Sequence, residues 1–259
     1  MDESTFRKAL FEIPLGDVRY HESINSTNDQ ALAWAAGGAP DLALVYAEEQ
    51  TSGRGRGSRR WFTPPGTALA FSLVLRPLSG EGRSVARYSG LGAVAVCAAL
   101  ETMGLQPEIK WPNDVLIKQR KVCGILVEAT WMGDRLENIV VGIGVNISPG
   151  AVPASELVDY PAGCVEGELK QPVDRLGLLV EILRALLTWR DRLCTDEFLT
   201  AWENRLAFRG ERVSVQIKEG RAKVGKIAGL EGDGSLLLQA DDGQEFSVQF
   251  GEVHLRRVL

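Results

Sequence analysis

The stretch KWPNDVLIKQRKVCGILVEATWMGDRLENIVVGIGVN, residues 110–146, decides the fold. Residues 114–117, 122–129 and 138–145 are rich in β-branched and other apolar side chains. They are joined by Lys118-Gln119-Arg120 and by Gly133-Asp134. Links that short leave no room for a crossover helix, so successive strands must run antiparallel as a meander. Upstream, residues 67–75 repeat the strand pattern, with Phe71, Leu73 and Leu75 on one face, and residues 42–47 read as a buried strand. Residues 85–103 are apolar, alanine-rich and long enough for a buried helix. Residues 30–36 form a short one, with cap candidates in Ser26-Thr27-Asn28-Asp29 and a stop at Gly37-Gly38. Downstream, leucines recur at three- and four-residue steps over 173–193, an amphipathic helix, and 196–207 continues as another.

Near Phe208-Arg209-Gly210 the pattern changes. Only short strands follow, over 212–217, 221–230, 235–240 and 245–249, with turns at Glu219-Gly220, Asp233-Gly234 and Asp242-Gly243. That regular spacing predicts a small β-barrel. The chain therefore divides into an α+β domain over 1–207 and a barrel over 208–259.

Composition narrows the function. Of 259 residues 45% are hydrophobic and 24% charged, which suits a packed globular protein. A formal net charge of -5 argues against a nucleic-acid coat or a basic membrane binder. The polar start lacks the features of a secretory signal, and no apolar run reaches the roughly 20 residues of a membrane-spanning helix. Four scattered cysteines without a CxxC pair suit reduced thiols and a cytoplasmic protein. Two histidines, His21 and His254, at opposite ends of the sequence disfavour a histidine metal site or a Ser–His–Asp triad.

The densest chemical signal is Gly53-Arg54-Gly55-Arg56-Gly57-Ser58-Arg59-Arg60-Trp61. Glycines let backbone N–H groups approach an anion, and guanidiniums supply forked donors for phosphate or carboxylate. A solvated basic loop, or an arginine–glycine contact to RNA, is the competing reading. Ordering such a loop costs roughly 1–2 kcal/mol per residue, whereas a charge-assisted hydrogen bond returns about 1.5–3 kcal/mol. The loop is therefore expected to close only when an anion supplies several contacts together. In Lys110-Trp111-Pro112-Asn113-Asp114 a stiffened segment holds a cation, an amide and a carboxylate within five residues. The bland alternative is a strand entry with a buried tryptophan. Arg120-Lys121 precedes an apolar strand in which Gly124 allows close approach. Cys123 is read as core in preference to an oxidisable thiol. Gly142-Ile143-Gly144-Val145-Asn146 places two glycines on one strand face, as a packing concession or as a wall for a flat ligand.

In order, STN, Q-x-x-GRGR…W, KWPND, RK-x-x-GILVE and GIGVN resemble the motifs of biotin–protein ligases. The motifs span Ser26 to Asn146, and the helices and terminal barrel fit as well. The resemblance implies a mixed-sheet catalytic domain related to class II aminoacyl-tRNA synthetases and an SH3-like C-terminal domain. It implies ATP and biotin as substrates, Mg²⁺, biotinyl-AMP as intermediate, and a lysine of a biotin carboxyl carrier protein, an acetyl-CoA carboxylase subunit, as acceptor. Ser26, Thr27, Asn28, Gln50 and Gly124 would line the biotin pocket. Arg54, Gly55 and Arg56 would lie in the loop over biotin and the adenylate phosphate, and Lys121 would meet carboxylate and α-phosphate. Trp61, Lys110, Asn113, Asp114 and Asn146 would serve the nucleotide, metal or acceptor side. Asp114 would hold Mg²⁺ or accept the acceptor lysine's proton. Gly57-Ser58 departs from the family's GRGRRGR pattern. The few residues before Ser26 leave no room for a DNA-binding helix-turn-helix, so no repressor role is expected. An exposed sheet edge would suit a homodimer. Lipoate or octanoate ligation is the neighbouring alternative, and an RNA-binding module the remote one.

Overall fold

The computed structural model describes residues 2–77, 85–158, 160–216, 222–249 and 254–257. The chain opens with α1 (Glu3–Ala9), β1 (Asp17–Ile24), α2 (Thr27–Ala36), β2 (Ala43–Gln50) and β3 (Ala68–Leu75). The long helix α3 (Val85–Thr102) follows, then β4 (Pro107–Lys110), β5 (Asp114–Ile117), β6 (Arg120–Met132) and β7 (Arg135–Asn146). Helices α4 (Val165–Leu169), α5 (Arg175–Arg190) and α6 (Asp196–Glu203) lead to β8 (Arg212–Gln216), β9 (Ala222–Leu230), β10 (Leu236–Gln239), β11 (Glu245–Val248) and β12 (His254–Arg257).

The meander expected from residues 110–146 is present, as β5, β6 and β7 pair antiparallel in sequence order. They belong to a seven-stranded sheet ordered β1-β2-β3-β7-β6-β5-β4. Only β1 and β2 pair in parallel, which makes the sheet mixed. Lys118 and Gln119 turn β5 into β6 with φ of 48° and 60°, a left-handed two-residue turn built without glycine. The Glu219-Gly220 turn lies outside the described residues. No helix among the described residues is long and apolar enough to cross a membrane.

Period-two alternation sorts β6 and β7 between two faces. Cys123 and Ile125 on β6, with Ile139, Val141, Ile143 and Val145 on β7, point into the main core beneath α3 and α5. On the opposite face, Val140 joins a second cluster against Ala31 and Ala35 of α2. Gly124, Leu126 and Glu128 alternate onto that second face of β6, as do Gly142, Gly144 and Asn146 on β7. That face carries the site.

The small sheet is antiparallel, ordered β11-β10-β9-β8-β12. Its inward residues Val213, Val215, Ile227, Leu236 and Leu238 join the main buried cluster, with Trp111 and Trp202 among its members. Trp202 is fully buried and lies on α3 where Gly90 presents bare backbone; an added Cβ there would overlap the indole. Trp111 donates from Nε1 to the Gly234 carbonyl at 3.0 Å, tying the Asp233-Gly234 turn to the segment before β5.

Several expectations are corrected. The helix read over 30–36 starts at Thr27, because Ser26 is the cap and accepts from Asp29 N at 3.4 Å. The helix read over 196–207 ends at Glu203. Beyond it the chain pairs with β4, as Ile109 N donates to Arg205 O at 2.6 Å and Ala207 N to Ile109 O at 2.9 Å. Elements α1, β1, β4, α4 and β12 were not anticipated.

Candidate active site

The cleft begins at the junction of β2 and α2. Gln50, the last residue of β2, accepts through Oε1 from Thr27 N at 2.8 Å and from Thr27 Oγ1 at 3.1 Å. It thereby satisfies one of the open N–H groups at the start of α2. Asn28 is buried, with every polar atom engaged. Nδ2 donates to Leu126 O (3.2 Å) and Glu128 Oε2 (2.9 Å), while Oδ1 accepts from Ser72 Oγ (2.6 Å). Its amide lies on Gly142, where a Cβ would overlap it.

The arginine–glycine segment is a hairpin. Gly55 N donates to Arg59 O (2.8 Å), Trp61 N donates to Gly53 O (2.8 Å), and Arg54 bridges Arg60. Gly57 sits at the tip with φ of 66°, a conformation in which an arginine would be strained, so the departure from GRGRRGR follows from the turn. Arg54 makes a forked pair with Glu128, NH1 to Oε1 at 2.9 Å and NH2 to Oε2 at 2.6 Å, and meets Asp29 Oδ1 at 2.7 Å. Burial works against its charge, and the two carboxylates outweigh it, raising the pKa above the ordinary arginine value. Arg56 NH1 donates to Asn113 Oδ1 at 3.2 Å. The expectation of a loop that takes its contacts only from an anion is therefore not met. Protein carboxylates and an amide already hold both guanidiniums.

Trp61 returns from the hairpin across the sheet. Its indole covers Gly144, where a Cβ would overlap it, and comes within 3.0 Å of a Cβ built on Gly124. The flat group on the glycine wall is thus the protein's own tryptophan. Lys121 Nζ sits 5.5 Å from that ring centre and 2.6 Å from Asp114 Oδ1. Residues 160–163 close the far wall. Lys121 N donates to Pro161 O (2.8 Å), Gly163 N to Lys121 O (2.9 Å), and Asn146 Nδ2 to Gly163 O (3.0 Å). Lys110 Nζ lies over Tyr160 at 4.1 Å. Asn113 Nδ2 holds Ile125 O at 2.9 Å.

Every residue given a binding or catalytic role from the sequence, from Ser26 to Asn146, lines one cleft of about 1210 Å³. Six cations, Arg54, Arg56, Arg59, Arg60, Lys110 and Lys121, share it with apolar walls from Phe62, Ile125 and Val152. Sequence reading missed Ser72 and Tyr160, took Asp29 only as a cap candidate, and quoted Glu128 in a motif without giving it a role. Each acts through a partner more than twenty residues away, for which local spacing carries no signal. Cys123 is fully buried in the core, and burial pushes its thiol pKa well up, as expected of a packing residue. Among the described residues no group of three His, Cys, Asp or Glu side chains could hold a metal. A resident metal cage does not fit this cleft. A magnesium ion carried in on phosphates, meeting one carboxylate, does.

Fold and cleft together define an α+β domain that gathers cations around a pocket sized for a small-molecule anion. Residues 20–146 match the biotin/lipoate A/B protein ligase family, and residues 208–256 match the biotin protein ligase C-terminal domain. The bifunctional ligase/repressor BirA of Bacillus subtilis is 34% identical over 94% of this chain and 76% of its own length. The biotin–[acetyl-CoA-carboxylase] ligase of Paracoccus denitrificans is 35% identical over 85% of this chain and 93% of its own. A solved structure of biotin protein ligase from Aquifex aeolicus in complex with biotin and ATP superposes with a TM-score of 0.78 at 27% identity, covering 93% of this chain and 99% of that one. The chain belongs to the biotin/lipoate protein ligase family and, within it, to the biotin protein ligases.

Proposed function

We propose that this cleft joins biotin to AMP from ATP, releasing pyrophosphate, and then passes the biotinyl group to a lysine of a biotin carboxyl carrier protein. The observation that carries this reading is the convergence of Arg56, Lys110 and Lys121 on one pocket whose described lining contains no histidine. A biotin carboxylate is already ionised at neutral pH, so its attack on the α-phosphate needs no base. The protein's work is to place the two anions together and neutralise them. Lys121 suits that work because Asp114 fixes its ammonium. Ser26, Thr27, Asn28, Gln50 and Gly124 form the biotin end, while Trp61, Lys110, Asn113 and Asn146 serve the nucleotide end. Magnesium entering on the triphosphate would supply further charge neutralisation, with Asp114 as its protein ligand.

The acceptor lysine, with an ordinary pKa of ~10.4, arrives mostly protonated. Asp114 is the carboxylate assigned to orient and deprotonate it. Transfer from preformed biotinyl-adenylate should slow in Asp114→Asn, and unimpaired transfer would remove that role. We read the large sheet as class II aminoacyl-tRNA synthetase-like, the small one as an SH3-like barrel, the domain boundary at 207/208, and the setting as cytoplasmic. ATP–pyrophosphate exchange with biotin, lipoate and octanoate side by side tests the whole reading. Exchange is expected with biotin, and dependence on lipoate or octanoate instead would overturn it.

A further inference from the structure

Glu128 is not itself part of the cleft lining, yet three elements meet on its carboxylate, and two lining residues, Arg54 and Asn28, are bonded to it. It is fixed on β6, on the same face as Gly124, and its side chain is 26% exposed. Oε1 and Oε2 take the two terminal nitrogens of Arg54 in a fork, and Oε2 also takes Nδ2 of Asn28 on α2. Asp29, the next residue of α2, meets the same NH2 of Arg54 at 2.7 Å. Arg54 opens the hairpin, whose tip at Gly57 lies beyond the Arg54–Arg60 bridge. Arg56, one step nearer the tip, points instead to Asn113 near the start of β5.

From this we infer that Glu128 is a positioning residue: it anchors the base of the arginine hairpin through Arg54 and ties it to Asn28, so that only the part around Arg56 moves over the bound acyl-adenylate. This rests on the ligase reading above. A fork between guanidinium and carboxylate is directional, unlike a point charge, so it fixes the plane of Arg54 as well as its place. Two carboxylates on one guanidinium also leave Arg54 poorly suited to a third anion. The hairpin's two inner arginines thereby take different tasks, Arg54 as pivot and Arg56 as the arm that meets the anion. Losing the pivot should loosen retention of the adenylate more than its formation, since retention depends on the loop staying down.

The test compares the parent enzyme with Glu128→Gln, Asp29→Asn, Arg54→Lys and the Arg54→Lys/Glu128→Gln double variant. Biotin-dependent pyrophosphate exchange gives kcat and KM. Escape of biotinyl-adenylate is followed by trapping with hydroxylamine after gel filtration. For Glu128→Gln, escape is expected to rise at least tenfold while kcat for exchange falls less than threefold. Asp29→Asn should show a smaller rise, and the double variant should escape no faster than the worse single variant. Arg54→Lys keeps the charge and loses the fork, so it gives the same readout should Glu128→Gln not fold. Escape at the parent rate in the folded variants, or additive effects in the double variant, overturns the inference. A parent enzyme with no biotin-dependent exchange would instead overturn the ligase reading.

Discussion

Two tryptophans lie on bare glycine backbone in this molecule, and they do different things. Trp202 rests on Gly90 of α3, fully buried, at the seam between the large sheet's helices and the small sheet. Trp61 rests on Gly144 of β7, half-buried in the cleft, with its indole N–H unpartnered. The contact is the same, a missing Cβ that lets an indole approach the main chain, but the surroundings are not. Around Trp202 the ring meets Gly90, Gly234 and Phe198, and its indole N–H is buried without a partner too, so full burial makes the contact a permanent joint. Around Trp61 the neighbours are Lys121, the arginine hairpin and open cleft, so the indole is a floor on which chemistry can be arranged.

The largest expected effect breaks the joint. Trp202→Ala should cost about 3–5 kcal/mol of unfolding free energy, the usual range for emptying a large aromatic site. Urea unfolding measures it, and a loss below about 1 kcal/mol would mean that the seam carries little of the core. Next comes the floor. Gly144→Ala forces Trp61 aside, and a displacement on the order of 1 Å at a reacting site costs about 100-fold in kcat/KM. Exchange assays should show that loss with the urea midpoint nearly unchanged; a stability loss without an activity loss would make Trp61 a packing residue like Trp202. Lys121→Ala removes a charged donor and should raise the KM for biotin by the equivalent of ~2 kcal/mol. The fold should survive it, and normal biotin-dependent adenylation would end the role given to Lys121. The smallest effect sharpens the joint. Trp111→Phe keeps the ring but loses the bond to Gly234, at about 1 kcal/mol. If that loss appears as weakened ATP binding and not as stability, the small sheet reports to the cleft through this bond.

Much of the site was legible because its residues come in short runs whose chemistry is local. The Gly53–Trp61 loop, the KWPND segment and Lys121 stand out by density of charge and glycine, and Arg54, Gly55, Arg56, Arg59, Arg60, Trp61, Lys110, Asn113, Asp114 and Lys121 from them line the cleft, while Trp111 turns into the core. The strand β1, DVRYHESI, was not legible: at the sheet edge it mixes exposed charges with two inward residues, Val18 and Tyr20, too few to make a pattern. The extent of α6 was misjudged because helical propensity continues past Glu203, where pairing with β4 overrides it.

By itself the sequence determined the antiparallel meander, the arginine–glycine segment as the chemical centre, and two glycines on one face of a strand. Each follows from periodicity or composition within about a dozen residues. Only the tertiary structure decided what those glycines face, which carboxylates hold Arg54, and that Lys121 pairs with Asp114. Those outcomes depend on which distant backbones are brought within hydrogen-bond reach, and burial makes each pairing strong by removing the water that would compete for it.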